Sequence, residues 1–213
     1  MGHHPARTNK PVDDSPYGES VIPIRRVNFL VAKCKETLQQ TPGNVLEVGV
    51  YKGGTLIALC AALKEVCPQF RVYGIDTFTG HPYTDGHPVH PQGKYGDVDM
   101  AKLERLIVSR GLKSWVKLYR GRVEDVFQGL QLANVSFAHI DCDLYAPVKY
   151  CAENVPGVMN RRGVLYFDDY GHEHCPGATR AVEEVFSSTD LQEVHISEDN
   201  TCWSCYLKVP PGE

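Results

Sequence analysis

No stretch of this 213-residue chain holds eighteen consecutive apolar residues, so nothing in it is built to span a bilayer. The first twenty residues are polar, with Pro, His and Asp, and lack the apolar core of a secretory signal. There is no Lys/Arg-rich block. With 22 basic and 26 acidic side chains the formal charge is −4, which disfavours a nucleic-acid partner, although a local basic patch could sit in a mildly acidic whole. Eight cysteines would suit a disulfide scaffold in a short secreted chain. Here Cys60, Cys142 and Cys151 lie in apolar runs and read as reduced core residues, so a cytoplasmic compartment is expected. Cys202-Trp203-Ser204-Cys205 has the C-x-x-C spacing, but it sits in a strand-like run rather than at the start of a helix, which favours packing over redox chemistry. No internal repeat is present.

Apolar runs of strand length alternate with helical periodicity. Residues 1–19 read as a mobile or wrapped arm, and residues 20–213 as one domain. A leading helix is expected over Arg25–Gln39 and a first strand over Asn44–Val50. A helix carrying Leu56, Ile57, Leu59, Cys60 and Leu63 follows, then a second strand over Arg71–Ile75. The segment from Gly80 to Val98, with three histidines and no periodicity, is expected to be a lid or disordered. Beyond it come a helix over Asp99–Arg110, a strand over Val116–Tyr119 and a short helix to Leu132. A strand ending at Asp141, a helix to about Asn160, a strand ending at Asp168 and a helix over Ala178–Phe186 follow, and Glu193–Ile196 with Thr201–Leu207 form a closing hairpin. The pattern predicts an α/β, doubly wound, mostly parallel sheet with an antiparallel C-terminal hairpin.

Two of these strands end in acids: the run to Ile140 opens into Asp141-Cys142-Asp143, and Val164–Phe167 opens into Asp168-Asp169. Side-chain alternation would send Asp141 and Asp143 to one face and Cys142 to the other. In a parallel sheet both tips lie at the carboxyl edge, where open α/β folds bind ligands. Two like charges about 4 Å apart cost on the order of 4 kcal/mol at an effective dielectric near 20, so a hard cation, Mg²⁺ or else Ca²⁺ or Mn²⁺, would relieve the cluster. The alternative is that these Asp residues cap the helices that follow.

Glu47-x-Gly49-x-x-x-Gly53 marks the first strand-to-helix turn. It matches neither the dinucleotide fingerprint nor the P-loop, and an acid two residues before the first glycine would repel pyrophosphate. Glu47 would instead accept a hydrogen bond from an ammonium group. Asp76 ends the second strand, where a carboxylate binds ribose hydroxyls in nucleotide-binding α/β folds. S-adenosylmethionine carries both groups, so the residues already point to a methyltransferase. No Asn-Pro-Pro-Tyr-like motif of an amino-directed nucleic-acid methyltransferase is present.

The stretches from Arg26 to Leu30, from Pro42 to Gly54, Gly74-Ile75-Asp76-Thr77-Phe78-Thr79-Gly80, His139 to Tyr145, Gly163 to Tyr170 and Arg180-Ala181-Val182 together resemble the macrocin O-methyltransferase family of antibiotic-sugar methyltransferases. The resemblance implies a class I, Rossmann-like S-adenosylmethionine methyltransferase fold. It also implies Mg²⁺-dependent methyl transfer to a hydroxyl of a small molecule, with a sugar of a glycosylated natural product as acceptor. Asp141, Asp168 and Asp169 resemble the metal ligands, and Asp143 the general base. Glu47, Gly49, Tyr51, Gly53, Thr55, Asp76, Thr77, Phe78, Gly121, Arg122 and Asp141 are expected around the cofactor, although Arg122 also reads as a solvated charge. Cys142 departs from the family's usual Gly, the 80–98 segment is unusually rich in His and Pro, and the chain is shorter than typical members. Self-association is a possible property of such relatives. A catechol-directed enzyme and a non-catalytic cofactor-binding protein remain as alternatives, and Tyr145, His172 and His174 as further residues that either line the acceptor pocket or simply pack.

Overall fold

The computed structural model describes residues 18–195 and 202–210, so nearly all of the expected N-terminal arm lies outside the described residues. The chain runs α1 (Ile24–Gln40), β1 (Asn44–Val48), α2 (Gly54–Val66), β2 (Val72–Asp76), α3 (Met100–Ser109), β3 (Val116–Arg120), α4 (Val123–Val126), β4 (Val135–Ile140), α5 (Tyr145–Asn154), β5 (Met159–Phe167), α6 (Pro176–Glu183), β6 (Gln192–His195) and β7 (Cys202–Lys208). The strands form one sheet in the order β3-β2-β1-β4-β5-β7-β6. β7 pairs antiparallel with both of its neighbours, and the five strands from β3 to β5 are mutually parallel.

Period-two alternation sorts the strand side chains into two cores. Leu46, Val48, Ala138, Ile140, Leu165 and Phe167 pack under α5 and α6, while Val45, Phe137, Val164 and Tyr166 pack with α1 and α2 on the other face. α1 buries Val27, Leu30, Cys34 and Leu38 at helical spacing, and Asp99 caps α3 by accepting from Lys102 N at 3.0 Å. The seven described cysteines are free thiols; Cys205 is fully buried in β7, and the side chain of Cys202 lies outside the described residues.

Two expectations need correction. The helix does not run to Asn160: α5 stops at Asn154, and a 3₁₀ turn over Val155–Val158 holds Pro156 at its start, because proline lacks the N–H that would continue an α-helix. β5 then begins at Met159, five residues before the expected run, and bulges against β4 between Val135 and Phe137. Along Gly80–Val98 no helix or strand forms, yet the segment folds onto the sheet edge with His90 fully buried and His81 8 % exposed.

Candidate active site

The strand order reverses between β1 and β4, which leaves a crevice at the carboxyl ends of these strands. Ladder hydrogen bonds set the tips level. Asp141 N donates to Val48 O at 2.8 Å, Asp168 N to Ile140 O at 2.9 Å, Gly49 N to Ile75 O at 2.9 Å and Gly121 N to Asp76 O at 2.9 Å. Gly49 has φ +92°, and a Cβ there would stand 1.7 Å from the Asp141 carbonyl oxygen, so only glycine lets β1 and β4 leave the sheet side by side. Above the tips opens a cavity of about 1210 Å³.

Gly49, Tyr51, Asp76, Thr77, Gly121, Arg122 and Asp141 line this cavity, and Glu47, Gly53, Thr55 and Phe78 do not. Glu47 is fully buried among strands and pairs through Oε1 with Nδ1 of His139, its register neighbour on β4, at 3.0 Å, while its Oε2 has no hydrogen-bond partner. Gly53 serves packing, because a Cβ there would meet Leu103 Cδ1 at 2.3 Å. Thr55 is buried in α2 and borders only a side niche of about 20 Å³, and Phe78 is buried in the core shared with α1 and α2. Asp76 reaches the cavity but already works on the backbone. One oxygen accepts from Val50 N at 2.7 Å and Tyr51 N at 2.8 Å, and the other from Phe78 N at 2.7 Å. Those bonds hold Tyr51 and Phe78 at φ +50° and +51°, a conformation that non-glycine residues adopt only when their surroundings impose it. Asp76 therefore shapes the turn, with little acceptor capacity left for two ribose hydroxyls.

The acids divide into two groups, which alternation along β4 does not foresee. Asp141 continues the strand direction and joins His139 and Asp168, with ligand atoms within 4.8 Å of one another. The ladder ends at Ile140, and Asp143, at φ +57°, turns away toward the 80–98 segment. Its Oδ2 lies 2.9 Å from His81 Nε2, and its Oδ1 accepts from Cys175 Sγ at 3.6 Å. His90 Nε2 stands 3.7 Å from the same sulfur.

Two cations balance part of this charge. The Arg26 guanidinium, brought from α1, bonds the Asp168 carboxylate and donates to its carbonyl at 2.8 Å. Burial opposes ionisation of Asp168, but Arg26 and His139 outweigh it and hold the carboxyl below its usual range. Burial likewise opposes charge on His139, yet the Asp168 carboxylate 3.7 Å from Nε2 and the Glu47 bond at Nδ1 push its pKa up to about 10. Asp141 and Asp169 go the other way: burial and then neighbouring carboxylates raise both, Asp169 to about 8. Asp169 Oδ2 is buried with no hydrogen-bond partner. Asp141, Asp168 and Asp169, mutually repelling and with one orphaned oxygen, are donors of the kind a hard divalent cation takes, so their chemistry fits Mg²⁺, while the ligand atoms that converge within 4.8 Å are those of His139, Asp141 and Asp168.

Arg26 and His139 belong to the site without having been given a role in it from the sequence: Arg26 reads as one residue of an amphipathic helix and His139 as part of an apolar strand. The three histidines of the 80–98 segment were a visible signal, but not the choice of His81 and His90 as the buried ones. Tyr145 packs: its hydroxyl donates to Glu184 at 2.6 Å, under Arg180. His172 and His174 line the cavity, and burial lowers the His172 pKa.

Residues 46–170 match the family model described as "Methyltransferase domain". Among curated proteins, the chain is 27% identical over 183 residues to 8-demethyl-8-(2,3-dimethoxy-alpha-L-rhamnosyl)-tetracenomycin-C 4'-O-methyltransferase of Streptomyces olivaceus, covering 80% of this chain and 70% of the relative. It is 26% identical to demethyldecarbamoylnovobiocin O-methyltransferase of Streptomyces niveus, covering 86% and 74%. In fold it resembles the O-methyltransferase NovP, with a TM-score of 0.77 at 22% identity over 90% of this chain and 82% of that one. A calicheamicin methyltransferase superposes with a TM-score of 0.72 at 20% identity, covering 88% and 81%. The sheet order, the cavity at its switch point and these matches together place the chain in the methyltransferase domain family, as an S-adenosylmethionine-dependent O-methyltransferase of class I fold.

Proposed function

We propose that the enzyme methylates a hydroxyl of a sugar on a glycosylated natural product, in a Mg²⁺-dependent reaction. The cavity carries this reading. At about 1210 Å³ it exceeds the roughly 300–1,000 Å³ of a single small-ligand site, and Gly49, Asp76 and Arg122 line it together with the Asp cluster. There is room for the cofactor and a second molecule of sugar size. The names of two similar proteins, the tetracenomycin 4'-O-methyltransferase and mycinamicin III 3''-O-methyltransferase, support a glycoside acceptor.

Asp141, Asp168 and Asp169 would hold the ion, which supplies Lewis acidity to the acceptor hydroxyl. Arg26 and His139 keep Asp168 ionised, and the Arg26 bonds fix its position. Asp143, at the head of α5, takes the proton while the acceptor oxygen attacks the sulfonium methyl carbon. The C–S electron pair passes to sulfur, leaving neutral S-adenosylhomocysteine and a protonated carboxyl. His81, 2.9 Å from Asp143 Oδ2, aims that carboxylate. Tyr95 packs edge-on against both His81 and Tyr51 at 5.5 and 5.4 Å and shields the site from water.

The test is transfer of labelled methyl to a panel of glycosides and catechols with and without Mg²⁺. Asp143→Asn should lower kcat by roughly 10²–10⁴ while leaving cofactor affinity in place. Glycoside methylation at an undiminished rate in EDTA would refute the metal role, and exclusive catechol methylation the acceptor class.

A further inference from the structure

We infer that His90, Cys175 and Asp143 form a second metal site, distinct from the Asp141–Asp168–Asp169 cluster and suited to a borderline-soft ion such as Zn²⁺. Their ligand atoms lie within 4.8 Å of one another, and His90 and Cys175 are 0 % and 3 % exposed. Two of its edges, 3.7 Å from Nε2 to Sγ and 3.6 Å from Sγ to Oδ1, are close to those of a tetrahedron about zinc: Zn–S near 2.3 Å and Zn–N or Zn–O near 2.0–2.1 Å give edges of roughly 3.5 Å.

The protons point the same way. Asp85 Oδ2 lies 3.0 Å from His90 Nδ1, so a neutral imidazole that keeps its proton on that side turns the Nε2 lone pair toward Cys175. Two acceptors, His90 Nε2 and Asp143 Oδ1, then converge on one thiol that has a single proton to give. With His90 neutral, that one proton cannot serve both, and a cation in its place would. A carboxylate bonded to the far nitrogen of a ligating histidine is also the usual support of a zinc ligand. An orphaned polar atom lies beside the group: His81, 8 % exposed, bonds Asp143 through Nε2 and stacks edge-on against His90 at 5.4 Å, while its Nδ1 has no hydrogen-bond partner.

All three ligands line the cavity, so an ion has a way in, and a fourth position is left for water. On binding, the Cys175 S–H bond breaks, the sulfur keeps the pair as thiolate and the proton leaves to solvent. The ion would tie the 80–98 segment to the turn after β4 and the loop before α6. It takes Asp143 Oδ1; of the two lone pairs on Oδ2 one faces His81 and the other stays open for the acceptor's proton.

The experiment is titration of chelator-treated wild-type protein with Co²⁺, an optical stand-in for Zn²⁺. The thiolate-to-cobalt charge-transfer band and the intense visible bands of tetrahedral cobalt should saturate at one such ion per chain, apart from any weakly absorbing Co²⁺ held by the acidic cluster, and Zn²⁺ should displace it. Cys175→Ser should abolish the charge-transfer band. Asp85→Asn should keep it at roughly 10–100-fold weaker affinity. Asp141→Asn, which strikes the acidic cluster, should leave it untouched, so failure here and failure of the Mg²⁺-dependent transfer read out separately. Should Cys175→Ser not fold, His90→Gln serves, with a loss of tetrahedral bands expected. The inference is overturned if the wild type shows no charge-transfer band, if the band survives in Cys175→Ser, or if Asp85→Asn binds as tightly as the wild type.

Discussion

Replacing Arg26 by Met should show how far the acidic site depends on a cation delivered by the leading helix. The Arg26 and Asp168 side chains are 12% and 5% exposed, so this is a buried ion pair and not a surface one. Removing Arg26 leaves Asp168 with only the looser 3.7 Å contact to His139, and losing one partner of a buried pair costs about 3–5 kcal/mol, against about 0–1 kcal/mol for an exposed pair. For a protein of this size 1 kcal/mol moves Tm by about 2–4 °C, so Arg26→Met should lower Tm by roughly 6–20 °C in EDTA. Adding Asp168→Asn removes the stranded charge and should restore part of the loss, which a double-mutant cycle isolates. If Asp168 also ligates a divalent ion, Mg²⁺ should raise the Tm of Arg26→Met more than that of the wild type. Thermal unfolding of the four proteins, with and without Mg²⁺, makes the measurement. A fall in Tm within the range of a surface pair, or a fully additive cycle, would refute the reasoning.

Asp169→Asn removes a buried carboxylate that burial and neighbouring Asp residues oppose. Its stability in EDTA should equal or exceed that of the wild type, while stabilisation by Mg²⁺ and methyl transfer are lost, as differential scanning calorimetry and a transfer assay would report. Glu47→Gln should change cofactor affinity less than threefold, since Glu47 faces His139; a tenfold or larger loss in calorimetric titration, about 1.4 kcal/mol or more, would restore it as the ammonium's partner. Gly49→Ala places a methyl against the Asp141 carbonyl at a positive φ. It should destabilise the fold by more than about 1 kcal/mol and weaken cofactor binding, and wild-type behaviour in both would mean that the β1 and β4 tips separate easily.

The alternation of apolar runs and helical periodicity located every strand and helix of the sheet to within a few residues, because burial on one face or both leaves a period in the sequence. It misplaced the α5–β5 boundary, where Pro156 and a bulge act locally against that period. The acids at the tips of β4 and β5 were legible for the same reason. A parallel strand that ends in Asp delivers that Asp to the carboxyl edge whatever the details of packing.

What the sequence determined by itself is thus the sheet, its direction and the type of group that reaches the crevice. Tertiary structure decided the partners. Arg26 meets Asp168 across 142 residues, and Glu47 meets His139 across 92, through register and helix docking that leave no local pattern. Which two of the nine histidines become buried beside Asp143 likewise depends on how an aperiodic segment folds back over the crevice. Local propensity fixes elements because it acts over a few residues; charge pairing acts through space, and only the assembled chain sets those distances.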